Sequence, residues 1–299
     1  MTNKELIIIA GPTGVGKTQV SIELAKQLGT EIISADSRQI YKEMSIGTAV
    51  PSSEQLKAVR HHFIQTKSID DYYNASIYEQ EVLERLKTLF EKYDKVILCG
   101  GTGLYIDAVR KGIDELPEVD MKLRKHVQDR FEKEGLESLR KELRILDPES
   151  YKRIDLKNPK RVQKALEVCL STGKPYSSFL NQPAKKRDFR QKLIVLNIDR
   201  TELYERINKR TDKMIEAGWI DEAKELYPCR DRNALKTLGY REIFAYLDGL
   251  CTLDQAVELI KANTRKYARK QITWFRKDKE YKWFSTGQIN EILKFIMND

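Results

Sequence analysis

The chain has 299 residues, 40% of them hydrophobic and 33% charged, with a formal net charge of +9. That length suits one large or two modest domains with a substantial core, and no run approaches the roughly 18 uncharged apolar residues of a membrane span. Excess positive charge of this size points to a polyanionic partner such as nucleic acid, provided the charge is clustered.

From the start, "MTNKELIIIAG" holds a short apolar run at 6–10 that reads as a first strand and not a secretory signal, so a cytoplasmic location is expected. A helix is predicted over Lys17–Leu28, with Val20, Leu24 and Leu28 at four-residue spacing. "TEIISADS" reads as a second strand ending at polar residues. Residues 78–93 form a helix with Val82, Leu86 and Leu89 on one face; "KVILCGG" is a buried strand, and 102–110 begins a further helix. "QKLIVLNID" at 191–199 reads as the last strand, followed by a helix stopped by Gly218. Buried apolar strands interleaved with helices imply a parallel, doubly wound sheet.

Between these strands, 116–184 lose the strand pattern. Leu123, Val127 and Phe131 make one apolar stripe, and Leu136, Leu139 and Leu143 another. "NPKRVQKALEVCL" opens with Asn158 as N-cap and Pro159 at the first helical position, and Val162, Leu166 and Leu170 form its apolar face. The expected organisation is a catalytic core from 1–115 and 185–299, interrupted by an all-helical insertion at 116–184. The four cysteines (Cys99, Cys169, Cys229, Cys251) show no CxxC pairing and read as buried thiols. Of the histidines, His126 is isolated, and His61 and His62 as strand neighbours would point to opposite faces, which suits chelation poorly.

"GPTGVGKT" at 11–18 fits GxxxxGK[ST] at Gly11, Gly16, Lys17 and Thr18, between a predicted strand and a predicted helix. Gly11, Pro12, Thr13, Gly14, Val15 and Gly16 would wrap backbone N–H groups round phosphate oxygens, helped by the helix N-terminus. Lys17 would bind the terminal phosphates and Thr18 would ligate Mg²⁺. Yet "KVILC" runs into "GGTGLY" with no carboxylate at its end, so the usual hydrolytic set is incomplete. The nearest acid at a strand end is Asp36 in "SADSRQIY".

The ordered set "GPTGVGKT", "SADSRQIYKEMSIGTA", "HHFI", "GGTGLYI", "NPKRVQKALEV", "TGKP", "LGYREI" and "TRKYARKQITWFRK" resembles the tRNA dimethylallyltransferase (tRNA isopentenyltransferase) family along nearly the whole chain. With no zinc-finger spacing near its end, the chain looks like the bacterial form. Two small departures are "KNP" at 157–159 where "NDP" is common, and "GV" in the middle of the glycine loop.

The resemblance implies a P-loop NTPase-like sheet and transfer of an allyl group from dimethylallyl diphosphate to N6 of adenosine 37, beside the anticodon of tRNA. The loop would then hold a diphosphate leaving group. Expelling it builds negative charge that the loop, Lys17 and Mg²⁺ are suited to take. Arg206 and Arg210 lie four apart on one helical face, and the family places a diphosphate-binding arginine at Arg210; a solvated basic face is the plainer reading. The adenine amine becomes acidic as the C–N bond forms, and the family's "DS.Q.Y" motif assigns Asp36 as acceptor of that proton. An N-cap or a metal ligand is the other reading of Asp36, and a helix cap the other reading of Thr102, which would touch the base or Asp36. Ser37, Arg38 and Gln39 would line the base pocket.

For tRNA, the same resemblance implies contacts from Arg124 and from Lys160, Arg161, Val162, Gln163 and Lys164 of the insertion. It adds Lys236, Gly239, Tyr240 and Arg241 in "KTLGYR", then Arg269, Gln271, Trp274 and Arg276 near the end. Arg265, Arg269 and Arg276 share a helical face, and Tyr267 and Trp274 could stack on bases or merely pack. A monomer is expected. A P-loop kinase for small acceptors and a prenyltransferase for free adenine nucleotides are the rival activities; a non-enzymatic RNA-binding module would leave Lys17 and Asp36 without a use.

Overall fold

The computed structural model describes residues 4–114, 116–180 and 185–298. Among these, six strands form one all-parallel sheet: β1 (Glu5–Ala10), β2 (Ile32–Ala35), β3 (His61–His62), β4 (Lys95–Gly100), β5 (Arg190–Leu196) and β6 (Lys282–Phe284), in the order β3-β2-β4-β1-β5-β6. The first four helices are α1 (Lys17–Leu28), α2 (Ser53–Ala58), α3 (Ala75–Lys92) and α4 (Gly103–Lys111). Then come α5 (Met121–Leu146), α6 (Pro148–Arg153) and α7 (Pro159–Thr172). The last are α8 (Arg200–Glu216), α9 (Trp219–Leu226), α10 (Tyr240–Leu247), α11 (Leu253–Arg276) and α12 (Ile289–Met297). None is long and apolar enough to cross a membrane.

The chain divides into two compact units, one of Met1–Lys111 with Lys186–Asp299 and one of Gly112–Lys185. The expected insertion began at 116 and ended at 184; residue 115 and residues 181–184 lie outside the described residues.

In the larger unit every residue of β1 is buried, because helices cover both faces of the sheet. The register aligns Ala10 of β1 with Gly100 of β4, and Gly100 with Ala35 of β2. Three strands therefore end level, and the segments that follow them, 11–18, 101–103 and 36–39, emerge side by side. Ligands of open α/β sheets bind in that position, outside the carboxyl ends of the strands. Gly100 is required for the close approach, since a Cβ there would lie 2.2 Å from the Ala35 carbonyl oxygen.

The sheet departs from expectation at one edge. The strand expected to be last stops at Leu196 and is followed by β6, which pairs with it at Ile194–Lys282. A three-residue edge strand is too short to carry an alternating pattern. The helix expected over 78–93 starts earlier, at Ala75, because the Asn74 side chain accepts from the Ser76 and Ile77 N–H groups.

Trp219 explains two glycine motifs. A Cβ on Gly47 would lie 2.1 Å from the Trp219 indole nitrogen, and a Cβ on Gly239 2.2 Å from its ring. Beside it, the Glu222 carboxylate accepts the N–H groups of Ser45, Ile46 and Gly47 at 2.7–2.9 Å and the Tyr240 hydroxyl at 2.6 Å. "SIGTA" and "LGYRE" are thus two walls of one packed joint. Gly47→Ala is expected to destabilise the protein by about 1–3 kcal/mol through overpacking, measured as a lower urea midpoint at unchanged slope.

The smaller unit buries Val127, Leu139, Leu143, Val162, Ala165, Leu166 and Cys169 as one core. Its two apolar stripes lie on α5, which is broken at Gly135 by a φ of 77°. Asn158 occupies the N-cap position of α7, but its side chain makes no cap hydrogen bond. Leu170 does not belong to the buried face: it is 36% exposed, and Ala165 and Cys169 pack there beside Val162 and Leu166.

Candidate active site

Gly11, Gly14 and Gly16 all have positive φ, from 82° to 152°. A Cβ on Gly11 would lie 2.6 Å from the Leu196 carbonyl oxygen, and one on Gly14 would lie 2.9 Å from Ile207. The loop is thereby bent back over the end of β1. α1 starts from Gly16 with no capping side chain and no acid in its first turn, which leaves its N–H groups for an anion.

Lys17 folds over this loop and donates to the Gly11 and Pro12 carbonyls at 3.0 and 2.8 Å. Part of the side chain is open to solvent, yet the protein packed round its ammonium pushes its pKa down from 10.5 to about 8. The pull of Cys99 and Asp36 partly offsets that burial. Arg210 donates to the Thr13 hydroxyl at 2.6 Å. Burial lowers its pKa while Asp36 raises it. Arg206, one turn earlier, donates to the Val15 carbonyl at 3.1 Å, so Arg206 and Arg210 both reach the loop and neither is only a solvated charge.

Thr18 is half-buried, and its hydroxyl takes no hydrogen bond among the described residues. That oxygen fits a divalent cation held chiefly by water and substrate phosphates.

Asp36 follows β2 directly. Its Oδ1 accepts from the Arg38 and Gln39 N–H groups at 2.8 and 3.2 Å, the geometry of an Asx turn. Thr102 stands just outside α4; its hydroxyl accepts from the Ser37 N–H at 3.1 Å and donates to the Ser37 hydroxyl at 3.4 Å. The Arg38 guanidinium donates to the Ala234 carbonyl, and the Gln39 amide to the Thr48 and Ala49 carbonyls. These bonds tie the turn at 36–39 to two neighbouring loops.

Thr13, Asp36 and Arg210 open into one cavity of about 460 Å³. Met214, Trp219, Leu238 and Ile260 give it apolar walls, and Arg38, Lys236, Arg241, Lys266 and Lys270 supply positive charge. Another cavity, of about 530 Å³, lies elsewhere, at His61, His62 and Arg85, with none of these loop residues in its lining. His62 pairs with Glu31, while His61 Nδ1 donates to the Val59 carbonyl, so the two rings do face different partners.

The residues expected to meet tRNA fall into three groups. Lys160, Arg161, Arg241, Arg269, Trp274 and Arg276 are exposed. Arg124 lies 3.9 Å from Glu167, and Lys164 is half-buried. Val162 and Tyr240 are fully buried, and Gln163 is nearly so and donates to Gln128; these three side chains hold their helices in place and present no surface to RNA.

Gln271 is also buried, for a reason the sequence does not reveal. Its Oε1 accepts from the Thr13 N–H and its Nε2 donates to the Gly101 carbonyl, both at 2.8 Å. It braces the phosphate loop against "GGTG". Trp274 packs over Gly103, where a Cβ would lie 2.4 Å from its ring nitrogen, and that nitrogen donates to Asp107. Gln271→Ala would leave two buried backbone groups unpaired. A loss of about 1–3 kcal/mol is expected, seen as a lower Tm together with weaker binding of diphosphate.

The fold and the loop are those of a P-loop α/β protein. A family model described as IPP transferase matches residues 39–278. A tRNA dimethylallyltransferase of Bacteroides fragilis is 51% identical over 99% of this chain and 98% of its own length. One from Phocaeicola vulgatus is 52% identical over 97% of each. Among solved structures, the tRNA isopentenylpyrophosphate transferase of Bacillus halodurans superposes with a TM-score of 0.73 at 35% identity, over 98% of this chain and 95% of that one. A eukaryotic dimethylallyltransferase acting on tRNA gives 0.78 at 25% identity, over 96% of this chain and 75% of that one. The chain belongs to the IPP transferase family.

Proposed function

We propose that this protein transfers the dimethylallyl group of dimethylallyl diphosphate to N6 of adenosine 37 in tRNA, releasing diphosphate. The observation that carries the reading is the shared cavity. Thr13 of the glycine loop with Arg210, the Asp36 carboxylate and an apolar wall open into one space under a rim of positive charge.

In this reaction the bond between the allylic C1 and the diphosphate oxygen breaks, and a bond from N6 to C1 forms. The departing oxygens gain charge, which the loop N–H groups, Lys17 and Arg210 stabilise more strongly than they stabilise the intact ester. N6 must lose a proton as it bonds to carbon, and Asp36 accepts it. Thr102, bonded to Ser37, holds the turn that carries Asp36. Thr18 and the diphosphate oxygens would hold a divalent cation, Mg²⁺ in our reading, which when bound neutralises part of the leaving group's charge. The acceptor adenine must leave the stack of its loop to enter the cavity, which costs a few kcal/mol or less in a single-stranded loop.

The test is an incubation with dimethylallyl diphosphate, Mg²⁺ and either an unmodified anticodon stem-loop or AMP, followed by mass spectrometry of the adenosine. Allyl-modified adenosine in the stem-loop is the expected product. Modification of AMP alone would transfer the activity to free nucleotides, and movement of labelled phosphate from ATP to a small acceptor would make it a kinase.

A further inference from the structure

On the side of α11 away from the catalytic cavity lies a second cavity of about 410 Å³, against the first turns of α8. Asp199, Arg200, Tyr204, Arg269, Ile272 and Arg276 line it, and the Asp199 carboxylate caps α8 by accepting from the Thr201 and Glu202 N–H groups. Among the described residues no carboxylate forms an ion pair with Arg200, Arg269 or Arg276, and all three are exposed. Arg200 and Arg269 instead converge on one neutral atom: each donates to the Tyr204 hydroxyl oxygen at 3.0 Å. With two guanidinium donors on that oxygen, the phenolic proton is left to be donated to a further acceptor. Burial acts to raise the Tyr204 pKa, and the hydrogen bonds from Arg269 and Arg200 overcome it and hold it below the ordinary tyrosine value.

We propose that this cleft is a phosphate clamp for the RNA backbone, in which the Tyr204 hydroxyl and the Arg200 guanidinium join Arg269 and Arg276 in gripping phosphodiester oxygens. The proposal rests on the reading that the acceptor is RNA. Two features favour a polymer over a small diphosphate. The site has no glycine-rich backbone cradle, only extended side chains. Arg269 and Arg276 are seven residues apart on one helix, about 10 Å along its axis, which is farther than the two phosphorus atoms of a diphosphate can lie.

The experiment measures binding of an unmodified anticodon stem-loop by fluorescence anisotropy across a salt series, with no allyl donor present, so that it does not depend on turnover. Arg200→Gln and Tyr204→Phe are each compared with Lys224→Gln, which removes an exposed charge on α9. The expected result is a three- to tenfold weaker affinity for Arg200→Gln and Tyr204→Phe, a salt slope shallower by about one for Arg200→Gln, and an unchanged Kd for inorganic diphosphate. Unchanged RNA affinity and slope in both variants would overturn the clamp, and so would a loss confined to inorganic diphosphate. Failure of the unsubstituted protein to bind the stem-loop at all would remove the RNA reading and the clamp with it.

Discussion

Asp36→Asn is expected to lower single-turnover prenyl transfer by about 10²- to 10⁴-fold while leaving stem-loop affinity within about twofold. The choice of asparagine follows from the hydrogen bonds. Asp36 Oδ1 already accepts from the Arg38 and Gln39 N–H groups, and an asparagine carbonyl keeps that turn while removing the proton acceptor. Asp36→Ala removes both, so it is expected to lose RNA affinity as well as rate, because Arg38 and Gln39 are set by the same turn. If Asp36→Asn reacts at nearly the normal rate, the carboxylate is a turn residue and the base lies elsewhere.

Lys17→Met is expected to reduce turnover by about 10²- to 10³-fold, the typical cost of losing one preorganised charge stabiliser, and to weaken diphosphate binding. Its pH dependence is more specific. The folded protein holds the Lys17 pKa at about 8, below the ordinary 10.5. Between those values the unfolded chain carries a proton that the folded chain has released. Stability therefore rises with pH across that window, and the burial penalty is fully present below it. Diphosphate binding runs the other way, because the anion needs the ammonium. Affinity should fall about tenfold per pH unit above 8 in the unsubstituted protein, and this slope should vanish in Lys17→Met. Isothermal titration with inorganic diphosphate from pH 7 to 10 reads both; an identical slope in the two proteins would remove Lys17 from the phosphate site.

Much of the candidate site was legible in the chain because its parts are local. A GxxxxGK[ST] loop works through consecutive backbone N–H groups, and the positive φ values of Gly11, Gly14 and Gly16 are properties of those positions alone. Asp36 was found by its place at the end of a short apolar strand, and the register then set that end level with the loop. Arg206 and Arg210 of α8 were visible as an i, i+4 pair, although nothing in their spacing separated a solvated face from a grip on Thr13 and Val15.

The roles that went unread involve partners far apart in sequence. Gln271 reaches Thr13 across 258 positions, and Glu222 gathers three N–H groups about 175 positions away. Tyr240 and Val162, expected at an RNA surface, are core residues because their helices turn those faces inward. Such assignments depend on which helix face meets which loop, and a motif of eight residues contains no information about that.

Local backbone chemistry thus marked out the phosphate loop, the acid beside it and the parallel α/β class before any coordinates were considered. Assembly supplied the rest: the shared cavity, the brace under the loop, the joint around Trp219 and the opposed faces of α11. The physical reason is range. Glycine torsions and helix caps act over a few residues, whereas burial and long-range hydrogen bonds exist only once the sheet has brought distant segments together.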